Sequence, residues 1–416
     1  STVKGNSSES VGAVASVEVL WETFGTDVTP NVGDLVKNAV YSDGCITFQT
    51  AETFKKGNAV IAAKDASGTI LWSWHIWLTD KPEEQVYYNN AGIMMNRNLG
   101  ATSATPGDVG ALGLLYQWGR KDPFLGSSSI SSSTIAKSTI AWPSAVSSDS
   151  SNGTIAYATA NPTTFITYNR NNGDWYYTGS SSTDNTRWTT SESSKSIYDP
   201  CPAGWRVPDG GDNGIWSKAL GSSSSFTQSS LYDSTNEGMN FSGKFGSDQT
   251  IWYPASGFRN CDDGSLLYVG NYGYCWSASP NSFSAYYLNF NYNGYVGSSS
   301  RNYRAYGYSV RCIKDGTGGG SSDSGDSSIS TSSAVSLTTT GTSNSYIVSQ
   351  KGTYSFPTVK GNSSASVGSV ESAEVLWESF GTDVTPNVST PVTVTQLRTQ
   401  IHVTRFRMHS PQAHLL

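Results

Sequence analysis

The most regular pattern of hydrophobic and polar residues lies near the start of the chain. Two hydrophobic runs, Ala59–Lys64 and Thr69–Leu78, flank the polar stretch Asp65–Gly68, which predicts a β-hairpin with a glycine-containing turn. Both faces of the second strand are hydrophobic, with Ile70, Trp72, Trp74, Ile76 and Leu78 on one face and Leu71, His75 and Trp77 on the other. Such a strand is expected to be buried on both sides. We therefore predict a β-sandwich over residues 1–82 and interpret His75 as a structural histidine rather than a ligand-binding one.

Residues 85–315 follow a less regular pattern, in which two helices are predicted. The first covers Gly110–Trp118 and ends at the Gly-Arg-Lys-Asp-Pro sequence that begins at Gly119. The second begins near Asp212–Asn213 and covers Ile215–Leu220. Long stretches rich in Ser, Thr, Asn and Gly lie between these elements, at Ser127–Ser151 and Gly179–Ser196. Loops of that length are commonly functional, and the neighbouring Trp and Tyr residues are expected to order them.

The strongest internal signal is a repeat. Thr2–Val32 and Thr358–Val388 differ at only five positions, so they are two copies of one unit. Ala334–Pro357 precedes the second copy, and only the first copy continues into the predicted hairpin, so we expect the first to be clipped at its front and the second at its back. Residues 315–333 form a flexible linker by composition. Residues 389–416 hold three Arg, three His and no acidic residue, which we interpret as a non-native end, with a native tail as the alternative.

Composition narrows the classes of function. Twenty-six basic and 32 acidic residues stand against 42 Gly, 23 Tyr and 13 Trp, which favours strands and ordered loops over coiled coils. The net charge of −6 argues against binding to a nucleic-acid backbone, which draws on clustered Lys and Arg. Thr69–Leu78 is far shorter than the ~20 residues of a membrane helix, so no transmembrane segment is predicted. Three of the four His lie in the last 15 residues, which leaves only His75 for a triad or a two-His metal site.

Neither the cysteines nor the acidic residues form a recognisable metal site. No CxxC pair and no Cys/His spacing is present among the five cysteines, Cys45, Cys201, Cys261, Cys275 and Cys312. Cys201 and Cys312 open and close one motif-rich region and suit a disulfide, although spacing alone does not fix the pairing. Asp209, Asp212 and Asn213 offer oxygen ligands for a structural calcium ion, but we favour the alternative of a Gly-rich turn that caps the following helix. No cofactor, catalytic residue or metal ligand is therefore predicted.

The chain changes character between Tyr268 and Tyr308. These 41 residues hold ten of the 23 Tyr, together with six Asn and seven Ser. A hydrophobic scaffold, with Leu288 and Phe290 on one strand face, alternates with positions that carry Asn, Tyr or Phe. Tyr supplies rigid contact area and Asn and Ser supply adaptable hydrogen bonds, as in antibody paratopes; the alternative is an ordinary β-rich domain in a Tyr-rich protein. The candidate ligand-binding positions are Asn260, Tyr268, Asn271, Tyr272, Tyr274, Asn281, Phe283, Asn289, Asn291, Tyr292, Asn293, Tyr295, Asn302, Tyr303, Tyr306 and Tyr308.

Several motifs resemble those of one protein family. The sequence YDPCPAGWRVP at Tyr198–Pro208 is similar to the CPxGWRxP motif of the Fibrobacter succinogenes major paralogous domain. Four further segments fit this family in order: Asn98–Thr102, Leu114–Gly119, Cys275–Ser279 and Gly307–Cys312. The resemblance spans about residues 90–314 and implies a C-type lectin-like fold related to formylglycine-generating enzymes. The family includes variable proteins of diversity-generating retroelements from gut Bacteroidales and their phages.

This resemblance implies an origin for the Tyr/Asn pattern. In such variable proteins, adenines of a template repeat are randomised during reverse transcription, so Asn codons scatter to Tyr, Ser, Asp, Phe and Cys at ligand-facing positions. Cys261 and Cys275 are then expected to be products of diversification rather than structural residues. The EPN and WND motifs with which true lectins bind calcium and sugar are missing, so sugar binding does not carry over from the fold. Formylglycine chemistry is not implied either, because no suitable cysteine or metal arrangement is recognisable.

Together these interpretations predict a β-rich α+β protein with a non-enzymatic binding function. The predicted parts are an N-terminal immunoglobulin-like β-sandwich (1–82), a C-type lectin-like variable domain (83–314), a linker (315–333), a partial second sandwich (334–388) and an atypical tail (389–416). The protein is expected at a cell surface, outside the cell or on a phage particle, where it binds a protein or glycan on another cell or host surface and no nucleic acid. The alternative is a fimbrial or adhesin subunit that assembles through its repeated β domains. An enzyme of the formylglycine-generating type is a third candidate.

Overall fold

The structure, a computed structural model, describes residues 2–4, 10–42, 44–179, 182–189, 194–315, 335–336, 344–357, 374–378 and 403–407. These residues hold 27 strands, two α-helices and two 3₁₀ helices, so the protein is β-rich and of the α+β class. Within the same ranges no helix has the length and hydrophobicity needed to cross a bilayer. The predicted linker, 315–333, lies outside the described residues apart from Asp315.

The first strands build an N-terminal sandwich around the predicted hairpin. They are β1 (Thr2–Val3), β2 (Ser10–Gly12), β3 (Ser16–Thr23), β4 (Val36–Ser42), β5 (Cys45–Thr50), β6 (Gly57–Lys64) and β7 (Ile70–Leu78). The hairpin is confirmed, because β6 and β7 pair antiparallel and the Asp65 carboxylate accepts hydrogen bonds from the backbone amides of Ser67 and Thr69 in the turn. β3 extends this sheet along β6, and β4 pairs with β5 in the opposing sheet.

Strand β7 is buried on both faces, as its pattern predicts. Trp72 packs in the core between the two sheets of the sandwich. Trp77 packs on the opposite side, where its indole N–H donates to the carbonyl oxygen of Ala101 at 2.9 Å. Close by, the side-chain amide of Asn58 donates to the carbonyl oxygen of Gly100 at 2.9 Å. The second face of β7 is therefore covered by the region after residue 82, and the sandwich and that region share a hydrophobic core.

The structural interpretation of His75 is confirmed. Its ring is buried, with Nε2 2.8 Å from Asn58 Oδ1 and Nδ1 3.1 Å from Ser345 Oγ. Burial lowers the pKa of His75 to about 3, so the ring is neutral at physiological pH. Both ring nitrogens are hydrogen-bonded inside the core, and the histidine stabilises the sandwich.

Residues 83–315 form a central domain of many short strands. Its strands are β8 (Glu84–Tyr87), β9 (Gly92–Met95), β10 (Leu115–Gln117), β11 (Trp205–Arg206), β12 (Phe226–Thr227), β13 (Tyr232–Asp233), β14 (Gly238–Asn240), β15 (Trp252–Pro254), β16 (Phe258–Arg259), β17 (Leu266–Leu267), β18 (Tyr272–Asn281), β19 (Ser284–Asn291), β20 (Tyr295–Tyr303), β21 (Gly307–Ser309) and β22 (Ile313–Lys314). Its helices are α1 (Ile155–Ala160), α2 (Ile215–Leu220) and the 3₁₀ turns Val109–Ala111 and Ser229–Leu231. The largest sheet has the order β12-β20-β19-β18-β21-β16-β17, with β10 also paired to β21.

The start and the end of the central domain meet in a second sheet. Its order is β11-β22-β9-β8, so the last strand of the domain lies between two early ones. The predicted Cys201–Cys312 disulfide is present and links the residues that precede β11 and β22. The helix predicted at 215–220 is confirmed as α2, which ends at Gly221 with φ 70°, a left-handed conformation that glycine adopts without strain.

The helix predicted over Gly110–Trp118 is wrong. Only a 3₁₀ turn at Val109–Ala111 forms, and β10 pairs antiparallel with β21 instead. Gly113 explains the break, because its φ of +73° is not helical and a Cβ there would lie 2.9 Å from the Leu99 carbonyl oxygen. The residues from 114 to 118 are buried on all sides, and a short buried strand of this kind cannot be told from a helix by its hydrophobic pattern.

Residues 335–336 and 344–357, which precede the second copy of the repeat, join the first sandwich. The strands are β23 (Val335–Ser336), β24 (Ser345–Val348) and β25 (Thr353–Pro357), followed by β26 (Glu374–Glu378) and β27 (Val403–Arg407). β24 pairs parallel with β7, β25 pairs antiparallel with β5, and β23 pairs parallel with β25. β26 repeats the sequence of Glu18–Glu22 in β3 and pairs with β27. The other residues of 358–416, including most of the predicted tail, lie outside the described residues.

Candidate ligand-binding face

The candidate site lies on one face of the β18–β19 pair, in the middle of the largest sheet. Across the two strands Tyr272 is opposite Asn291 and Tyr274 is opposite Asn289, so Tyr and Asn form cross-strand pairs on the same face. All four side chains are partly exposed. The period of two along each strand therefore collects these four predicted binding positions on one surface.

The opposite face of the same strands is core. Leu288 and Phe290 are buried there together, as the sequence pattern predicts. The Phe290 ring packs directly on Gly273, where a Cβ would approach the ring to 1.9 Å, so only glycine fits at that position. Cys275 also lies on this face with 2% exposure, and burial raises the pKa of its thiol to about 12. Because its side chain points into the core, Cys275 has a packing role and does not face a ligand.

A buried aromatic base supports the binding face; we use this name for Trp276, Tyr287 and Tyr308. The Tyr308 ring lies 4.3 Å from Trp276, 5.0 Å from Tyr287 and 4.7 Å from Tyr274, measured between ring centroids. Asn302 Nδ2 donates to the Tyr308 hydroxyl at 2.8 Å. Tyr308 was predicted to bind ligand but is only 1% exposed, so it lies beneath the surface. Burial raises the pKa of Tyr287 to about 12 and also raises the pKa of Tyr308 well above its ordinary value, so both phenols stay neutral.

An exposed rim lies at one end of this base; it consists of Tyr268, Asn271, Tyr272, Tyr292 and Asn293. Tyr268 is 53% exposed and Tyr292 is 51% exposed. The half-buried Tyr272 joins them, with ring centroids 5.3 Å from Tyr268 and 6.2 Å from Tyr292. The backbone below is fixed, since the amide of Tyr292 donates to the Asn271 carbonyl oxygen at 2.9 Å. The rim thus offers large aromatic and amide groups to solvent on an ordered backbone.

Tyr268 has an unusual backbone. Its φ of 58° lies in the left-handed region, which costs a residue with a Cβ about 1 kcal/mol and which Gly and Asn tolerate best. The ring is nevertheless held in place, stacked on Phe258 at 5.7 Å. A large exposed side chain at a strained position is typical of functional sites.

The remaining predicted positions near the base differ in their roles. Asn289 Oδ1 is buried and has no hydrogen-bond donor among the described residues, which leaves an acceptor on the Tyr/Asn face for a ligand or water. Asn291 Oδ1 instead accepts from the amides of Asn293 and Tyr295, at 3.0 and 3.3 Å, and shapes the turn after β19. Asn260 likewise belongs to its own turn, since its backbone carbonyl accepts from Gly264 at 2.8 Å.

A second exposed patch lies at the other end of β19, at Phe283 and Tyr303. Of the neighbouring predicted positions, Asn281 accepts a hydrogen bond from Arg301 at 3.2 Å, and Asn302 is the donor to the Tyr308 hydroxyl. Phe283 is 38% exposed and Tyr303 is 46% exposed. Tyr303 stacks on Tyr168 with centroids 6.1 Å apart and planes 8° apart. Tyr306 is half-buried between the two patches, 5.5 Å from Tyr308. The predicted positions therefore form two exposed patches that flank one aromatic base.

Sequence reasoning missed a buried ionic group beneath the second patch. Arg304 is fully buried, donates to the carbonyl oxygens of Ser284 and Ser282 at 3.1 and 2.9 Å, and lies 4.4 Å above the Trp118 ring. Asp174 forms ion pairs with Arg304, at 3.7 Å, and with the buried Arg187. This group fixes the hairpin that carries Phe283. The only sequence signal is an Arg within a Tyr/Asn segment, and its ionic partner Asp174 lies 130 residues away in the chain.

The chemistry of the face is neutral and suited to stacking and hydrogen bonding. Burial raises the pKa of the nearby Cys261 thiol to about 11, so this thiol is protonated at neutral pH. In the Gly-rich turn considered for calcium, Asp209 pairs with Arg206 at 2.7 Å and Asp212 accepts from Ser299 at 3.0 Å. Across the described ranges no three His, Cys, Asp or Glu side chains converge as a metal site would require.

Comparisons with known proteins do not assign this chain to a family. A scan against protein-family models, a search of curated proteins and a search of solved structures each gave no match. The interpretation of the binding face rests on its own geometry.

Proposed function

We propose that this protein is a non-enzymatic, surface-displayed binding protein whose rim contacts a protein or glycan on another cell or host surface. The observation that carries the proposal is the change from buried to exposed aromatic residues along one face of β18 and β19. The buried aromatic base adjoins the exposed rim, in which Tyr268 is 53% exposed and Tyr292 is 51% exposed. Tyr gives large contact area at low entropic cost, and neutral amides give adaptable hydrogen bonds.

The proposal assigns the central domain to a C-type lectin-like fold and the N-terminal sandwich to an immunoglobulin-like fold. Support comes from the Cys201–Cys312 disulfide, which joins the CPxGWRxP-like segment to the closing strand. A disulfide also suits an extracellular, cell-surface or phage-particle location, where thiols are oxidised. The sandwich then serves as a stalk that presents the binding face.

We further propose that the rim is a target of a diversity-generating retroelement. Tyr268 supports this origin, because its φ of 58° suits Asn, the residue from which such mutagenesis starts, better than Tyr. The test is at the nucleotide level: a near-identical template repeat, mismatched only at adenines, should lie beside a reverse transcriptase gene. Its absence would reject diversification and leave the binding proposal intact.

An array of glycans and surface proteins tests the binding function. The full chain is compared with a rim variant, Tyr268→Ala/Tyr272→Ala/Tyr292→Ala, and with a control of three exposed residues elsewhere, Val28→Ala/Val86→Ala/Tyr88→Ala. The rim variant should lose at least about tenfold in affinity for any ligand found, because hot-spot aromatics contribute about 2 kcal/mol or more each. The control should bind like the original chain. Equal losses in the two variants would contradict the proposal.

A further inference from the structure

The segment from Asn344 to Pro357 contributes one strand to each sheet of the N-terminal sandwich. β24 adds a parallel strand beside β7, and β25 adds an antiparallel strand beside β5. Tyr346, Val348 and Tyr354 are 4%, 0% and 3% exposed and belong to the same core as the hairpin. The Tyr354 ring stacks on Phe48 with centroids 5.8 Å apart. The segment therefore fills part of the core between the sheets.

Backbone hydrogen bonds continue the two sheets into this segment. The amides of His75 and Thr79 donate to the carbonyl oxygens of Asn344 and Val348, at 2.8 and 3.0 Å. The Asn344 side chain accepts from the Trp72 indole at 2.9 Å and donates to the Ile197 carbonyl oxygen at 2.6 Å. Without the segment, β7 would present an unpaired edge, and unpaired edges pair readily with other strands.

The position of the segment in the chain is unusual for a strand of the first sandwich. It runs directly into Thr358–Val388, the second copy of Thr2–Val32. The strands that receive it, β5 and β7, follow the first copy, and residues 389–416 after the second copy do not repeat their sequence. Residues 344–357 thus precede the second copy of the repeat in the chain, but they add strands to the sandwich that contains the first copy.

We propose that residues 344–357 are an exchangeable donor segment, and that the N-terminal sandwich of a second copy of this chain is their alternative acceptor. The donor segment makes the same contacts in the sandwich of its own chain and in that of a second chain. The ratio of closed monomers to linked chains therefore depends on the effective concentration of the segment within its own chain. Because β23 already pairs with β25, the free connection is the 20 residues between Lys314 and Val335, which extend to roughly 70 Å at most. A Gly/Ser-rich connection of this length gives an effective concentration on the order of millimolar. Closed monomers therefore dominate in dilute solution, and exchange links chains where they are crowded.

A peptide-binding experiment on the full chain tests the acceptor site. Val348→Asp places a charge at a 0% exposed position and should displace the chain's own segment, whereas Ser349→Asp changes the exposed neighbour and serves as the matched control. A labelled synthetic peptide of residues 344–357 should bind the Val348→Asp chain with 1:1 stoichiometry and raise its Tm by several degrees. It should not bind the control chain, whose site is filled. A folded Val348→Asp chain that ignores the peptide would overturn the proposal.

Exchange between unmodified chains gives an independent test that does not need the variant to fold. Chains with natural and heavy isotopes are unfolded together, refolded at about 100 μM and examined by native mass spectrometry. Mixed oligomers should appear, and the Ser349→Asp chain should form them equally. Monomers alone at every concentration up to the millimolar range would overturn exchange between chains. Neither outcome depends on whether the rim binds a ligand, so this proposal and the proposed function fail separately.

Discussion

The two faces of the β18–β19 pair differ in what fixes their residues. On one face, Gly273 and Phe290 fit so closely that a single added carbon would collide with the ring. On the other face, Tyr272 and Asn291 meet at a partly exposed surface where many side chains would fit. The same backbone therefore carries one face that is set by packing density and one partly exposed face on which packing constrains the side chains less. A binding protein can change the second face without refolding the first.

The largest predicted effect is a difference in stability between alanine variants of two nearby residues, Phe290 and Tyr292. Phe290→Ala should lower the free energy of unfolding by about 3–5 kcal/mol, because it leaves a cavity between Gly273 and the rings of Phe241 and Tyr253. Tyr292→Ala should change it by less than about 0.5 kcal/mol, since this ring is half exposed. Guanidinium unfolding of both variants measures the difference. Comparable losses would show that the rim is part of the core.

A second predicted effect is the pH dependence of stability that the buried Tyr287 of the aromatic base causes. The pKa of Tyr287 is about 12 in the folded protein and about 10 in an unfolded chain, so the folded state holds this proton more tightly. Its contribution to stability is complete below pH 10 and is lost as the pH rises toward 12. Tyr287→Phe should therefore reduce the loss of stability between pH 9 and 11.5 by roughly 2 kcal/mol. Unfolding at the two pH values checks this, and an unchanged loss would argue against a buried phenol.

The smallest effect concerns strain in the rim. Tyr268→Asn should stabilise the fold by about 0.5–1 kcal/mol, because Asn tolerates the φ of 58° better than Tyr. Tyr272→Asn, at an ordinary strand position, is the matched control and should give no such gain. Thermal unfolding measures both. Equal shifts in the two variants would mean that backbone strain at Tyr268 is negligible.

Local patterns were sufficient to predict some parts of the molecule. The β6–β7 hairpin follows from alternation around a glycine-containing turn, and the burial of Leu288 and Phe290 follows from their spacing. The Cys201–Cys312 pair was suggested by position alone. Helix α1 was missed because it lies in a Ser/Thr/Asn-rich stretch, where only the cap at Thr154 marks it. For the hairpin and for the buried face of β19, the information lies within a few residues of the element.

Features that depend on distant contacts could not be predicted. The hydrophobic pattern of β10 predicts a helix, because the burial of this strand comes from β21, almost 200 residues later. Tyr308 was placed on the surface because nothing in its neighbourhood reveals the Trp276 ring beneath it. The pairing of β24 with β7 joins residues 270 positions apart, which neither repeat alone indicates. The same holds for Arg304 and Asp174, which meet only in the folded chain.

The central claim is that the rim is a binding surface that changes independently of the fold. Two display libraries of the full chain test it directly: one randomises the five rim positions, and the other randomises five exposed positions elsewhere, Val28, Val32, Val40, Val86 and Tyr88. Both are selected against the same panel of purified proteins, and binders with Kd below about 1 μM are counted. We predict many independent binders from the rim library and few or none from the control library. Equal numbers from both libraries, or none from the rim, would contradict the account.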